Sequence, residues 1–139
     1  MAKSEPAAIC ELRKRAEKGE ASAQYALGCK FYEGDGVARD YDEALKWYRL
    51  AAAQGHNSGL CDVGYCYRNG HGVERDYAAA IPYYRQAANQ GCPTGAYWLA
   101  HAYEHGEGID KDLAKAKEWY RVAVSRGDRD AAADLNRLG

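Results

Sequence analysis

The chain has 139 residues, is 47% hydrophobic and 28% charged, and carries a net charge of −1. That length suits one domain and is short for two. The charge balance excludes a basic surface that tracks nucleic-acid phosphates, since Arg13-Lys14-Arg15 is only a short run and reads as a solvated helix face. No stretch of about 18 apolar residues is present to cross a membrane.

The elements follow from one periodicity. Residues 20–55, 56–91 and 92–127 align without a gap at a spacing of 36. Leu27, Val63 and Leu99 coincide, as do Phe31, Tyr67 and Tyr103. So do Gly34, Gly70 and Gly106, then Gly36, Gly72 and Gly108, and Asp40, Asp76 and Asp112. Tyr48, Tyr84 and Tyr120 follow, and Gly55, Gly91 and Gly127 close each unit. A period of this length predicts a stacked array in which each unit buries its apolar face against its neighbours.

In chain order, residues 5–18 are expected to form the second helix of a preceding half-unit, because Ala8, Ala16 and Gly19 lie 36 residues before Ala44, Ala52 and Gly55. The first full unit opens with a helix whose stripe is Ala23, Leu27 and Phe31, at the spacing that keeps one face inward. Gly34 stops it, and Gly34-Asp35-Gly36 turns the chain with Val37 tucked beneath. Asp40 is expected to cap the second helix, with Glu43 completing a capping box; Asp76 and Asp112 have no such partner. The second helix carries Ala44, Trp47, Tyr48, Ala51 and Ala52. The large rings Trp47, Tyr83 and Trp119 are expected to fill the space between units. Pro82 lies inside the second helix of the next unit, where it predicts a bend near Ala78. Pro93 opens a first helix, where proline is tolerated. Ala131 and Leu135 place a capping helix at 129–138. The total is about eight helices in a single repeat domain spanning 1–139.

The run from Tyr25 to Gly55, with alanine, Leu-Gly, an aromatic residue, Gly-x-Gly-Val, aspartate, alanine, Trp-Tyr, Ala-Ala and glycine in register, resembles a Sel1-like repeat, a relative of the tetratricopeptide repeat. Ala100, Val124, Tyr83 and Pro82 depart from the pattern. The resemblance implies an all-α fold, a right-handed α-α superhelix whose first helices line the concave side. It also implies a scaffold or adaptor for other proteins.

If the first helices face inward, their non-core positions form a groove. These are Ser22, Tyr25, Cys29, Tyr32 and Glu33, then Ser58, Cys61, Tyr65, Arg68 and Asn69, then Thr94, Tyr97, His101, Glu104 and His105. They differ at almost every step while the core positions repeat, as expected of a surface that meets an irregular protein or peptide, and equally of an unconstrained surface. Tyrosines offer rigid contact area with a hydroxyl, and Arg68 could receive a carboxylate from the partner. Trp98 has Ala26 and Asp62 as equivalents, so no repeated slot explains it; it reads equally as a contact residue or a filler. The alternative function is a spacer, or a module that pairs with its own copies, although a monomer is the expected state.

No metal, cofactor or catalytic residue is assigned. His101 and His105 share a helical face, with His71, Cys66 or Glu104 as further candidates, but zinc needs three or four ligands. A Cys66–His101 pair lacks an orienting group and an oxyanion site. Five cysteines at non-equivalent positions read as free thiols in a reducing compartment. The first residues lack the apolar core of a secretory signal, so the expected location is the cytoplasm unless a leader was removed.

Overall fold

A computed structural model describes residues 5–139. Among these, all regular structure is helical: α1 (Ala7–Glu17), α2 (Ala21–Glu33), α3 (Tyr41–Ala53), α4 (Asn57–Asn69), α5 (Tyr77–Asn89), α6 (Pro93–His105), α7 (Leu113–Ser125) and α8 (Arg129–Leu138). Each helix packs chiefly on its neighbours in the chain, and α4 also touches α6. Sequential packing of this kind is the mark of a solenoid.

The repeated residues are the skeleton. Leu27, Val63 and Leu99 are each 0% exposed, and Tyr48, Tyr84 and Tyr120 are buried beside Ala44, Ala80 and Ala116. Of the three rings expected between units, Trp47 is buried, whereas Tyr83 and Trp119 are only partly covered. At the ends of the array α1 buries Ile9 and Ala16, and α8 buries Ala131.

Each turn closes in the same way. Gly34, Gly70 and Gly106 end the first helices in the left-handed conformation, with φ of 72°, 71° and 67°. The side chains of Asp40, Asp76 and Asp112 then accept from the third backbone N–H of the following helix, at 3.1 Å each. The expected capping box at Glu43 does not form, because the Asp40 N–H it would engage already donates to the Phe31 carbonyl at 2.9 Å. Asp76 and Asp112 donate equivalently to Tyr67 and Tyr103, so the lock belongs to the fold and not to one unit. The second turn glycine seats each turn on the preceding unit: a Cβ on Gly72 would lie 2.6 Å from the Tyr41 carbonyl oxygen. Helix α5 runs unbroken through Pro82, whose exposed ring faces outward.

Candidate partner-binding groove

Helices α2, α4 and α6 present their variable positions along one stripe. Tyr25, Cys29, Tyr32, Tyr65, Arg68, Asn69, Tyr97 and His101 are all half-buried there, and His105 is exposed. Two expected groove residues are not available. Cys61 is 6% exposed because Cys92, which opens α6, packs on it with the sulfurs 3.7 Å apart. Glu104 is also 6% exposed, taking the Tyr120 hydroxyl at 2.7 Å and the Arg137 guanidinium at 2.7 Å. Burial pushes the Glu104 carboxyl up, but the hydrogen bonds from Arg137 and Tyr120, with the charges of His105 and Arg137 beside it, hold it below its ordinary value.

The rest of the stripe forms two aromatic clusters joined at Tyr65. In one, Trp98 stacks on Tyr84 with centroids 6.1 Å apart, meets Tyr65 and Tyr97 edge-on at 6.0 and 5.2 Å, and lies 5.4 Å from His101. The Arg68 guanidinium sits 4.8 Å from its ring centre and pairs with Glu107 at 3.4 Å. Arg68 is thus already engaged, which lessens its freedom to receive a partner's carboxylate. Trp98 fills against α5 and stays half-buried.

In the other cluster Tyr25, Tyr32, Tyr48 and Tyr65 surround a cavity of about 340 Å³, with Asp62 in the wall and the exposed Glu33 at the rim. Tyr48 comes from α3 and lies beneath, 5.6 Å from Tyr25 and 6.3 Å from Tyr32 between ring centres, its hydroxyl donating to Cys29 Sγ at 3.5 Å. The Tyr32 hydroxyl is fixed 2.8 Å from His71 Nδ1. Burial pushes the Asp62 carboxyl up to about 6, against the pull of the neighbouring Tyr25 hydroxyl. Asp62 and Tyr48 escape a stripe drawn from the first helices alone. Asp62 stands 36 residues before Trp98, and that register is the signal that marks it.

The remaining chemical candidates are engaged in structure. His101 and His105 have ring centres 4.3 Å apart, but His101 Nδ1 is 3.0 Å from Glu107 and His105 Nε2 is 3.3 Å from Glu104. Among the described residues no three His, Cys, Asp or Glu side chains converge as a metal site. Burial pushes the Cys66 thiol up to about 12, which keeps it protonated and weakens it as a nucleophile.

Comparison with known proteins agrees with this geometry. The Sel1 repeat family matches residues 21–56, 58–92 and 93–128. A Sel1 repeat protein from Oxalobacter formigenes is 35% identical, with a TM-score of 0.83 over 94% of this chain and 98% of its own. A protective antigen of uropathogenic Escherichia coli with an SLR fold is 37% identical, with a TM-score of 0.85 over 88% of this chain and 26% of its own. The secretory immunoglobulin A-binding protein EsiB of Escherichia coli O6:H1 is 39% identical over 41 residues, 30% of this chain. The chain spans only 8% of EsiB's length.

Proposed function

The chain belongs to the Sel1 repeat family, and from that premise we propose that it is a protein-binding scaffold, non-catalytic, whose partner lies along the concave stripe of α2, α4 and α6. Proteins built from this repeat generally mediate protein–protein interaction, and EsiB by its name binds an immunoglobulin. One observation carries the groove reading: the buried skeleton repeats at every 36th residue, while Tyr65 and Trp98 gather with Tyr97 as half-exposed rings on one face, and neither Tyr65 nor Trp98 recurs at its equivalent positions. Rigid aromatic surface of that kind is what binding hot spots use. No helix among the described residues is long and apolar enough to cross a membrane, and five cysteines at non-equivalent repeat positions support a reducing, cytoplasmic placement.

A partner purified on the wild-type protein and titrated by calorimetry tests the reading. Tyr65→Ala or Arg68→Ala should weaken it about tenfold or more, with the melting temperature little changed. Wild-type affinity in both variants contradicts groove binding. Self-association is the second reading, favoured by the exposed apolar Leu50, Leu113 and Val124 on α3 and α7. Light scattering distinguishes it, since a mass that rises with concentration means that copies pair.

A further inference from the structure

The tyrosine cavity is one of three equivalent places in the array, and an arginine of the chain stands at each of the other two. Moving 36 residues along from Tyr48, Asp62 and Tyr65 gives Tyr84, Trp98 and His101; moving 72 gives Tyr120, Asp134 and Arg137. At the second place Trp98 stacks on Tyr84, and Arg68 lies over Trp98. At the third an aspartate and a tyrosine recur. Arg137 answers them, 3.1 Å from the Asp134 carboxylate and 2.7 Å from Glu104.

At the first place Tyr65 stands where Arg137 would be. Among the described residues no lysine, arginine or histidine pairs with Asp62 or Glu33, and about 340 Å³ stays open among the rings. We propose that this cup binds the guanidinium of an arginine side chain presented by the partner, with Asp62 as its counter-ion and Tyr25, Tyr32 and Tyr65 as its walls. A guanidinium stacks on aromatic faces, pairs with carboxylates and is weakly hydrated, so it suits a half-buried acidic cup better than an ammonium does. An arginine of the chain takes part at each of the other two places, Arg68 over the Trp98 ring and Arg137 against Asp134 and Glu104. The proposal rests on the groove reading, because Tyr65 belongs to the cup and also touches Trp98, letting one extended segment reach both.

The test is a titration followed by proton–nitrogen NMR with three probes: acetyl-Gly-Gly-Arg-Gly-Gly-amide, the same peptide with neutral, near-isosteric citrulline, and the lysine version. The arginine peptide should shift amides of residues 25–33 and 61–66 saturably. Citrulline, or Asp62→Asn in the protein, should weaken it about tenfold or more, with the variant's spectrum still that of a folded chain. The lysine peptide should bind less tightly than arginine. Equal binding of arginine and citrulline, unchanged binding to Asp62→Asn, lysine binding as tight as arginine, shifts scattered elsewhere, or no shifts at all would each overturn it. A natural partner that is weakened by Arg68→Ala but indifferent to Asp62→Asn would refute the cup and leave the groove standing.

Discussion

Burial of Asp62 favours its neutral, protonated form. Its folded-state pKa of about 6 lies above its ordinary value of 3.8, so the folded chain holds that proton more tightly than the unfolded chain does. Ionising it therefore subtracts stability: the loss begins as pH rises past about 4, is complete above about 6, and reaches at most about 3 kcal/mol. Asp62→Asn removes the charge. It should raise stability near pH 7.5 by about 1–3 kcal/mol, with the gain vanishing near pH 3.5. Chemical denaturation of wild type and variant at the two pH values checks this, and an equal difference at both would contradict it. The neighbouring residues show why the sequence revealed only part of the site. Tyr25, Tyr32 and Tyr65 were legible as groove residues from helical spacing alone. Tyr48 joins the wall of the same cavity from another helix, which spacing along one helix does not register.

The helices and their turns were the most legible level, because glycine and aspartate recur where the backbone demands them. Two expectations failed for the same reason, that a neighbouring element had already claimed the group. Glu43 lost its capping partner to the Phe31 carbonyl, and Glu104 was drawn inward by Arg137 of α8. The second turn glycine gives the element-scale prediction. Gly91, at φ 96° with nothing near its missing Cβ, should lose about 1–2 kcal/mol as Gly91→Ala, from left-handed backbone strain alone. Gly72→Ala meets that strain plus the Tyr41 carbonyl oxygen at 2.6 Å, and should lose about 2–4 kcal/mol. Urea melts of the pair decide whether the turns key each unit onto the one before, and equal losses would mean that they do not.

Across the whole molecule, a repeated skeleton carries a surface that does not repeat. The three tyrosine places make the point in miniature: the same backbone is filled by Trp98 with Arg68 at one, by Arg137 at another, and left open at the first. The period made the solenoid legible from sequence. The open cup was not, because recognising it required knowing that the other two are filled from within. Two sets of helices could meet another molecule: α2, α4 and α6 with the aromatic stripe, and α3 and α7, where Leu50, Leu113 and Val124 are exposed. Hydrogen–deuterium exchange of the protein alone and with its partner bound separates them most directly. Protection should concentrate on 25–33, 61–69 and 97–105; protection confined to α3, α5 and α7 would contradict the groove.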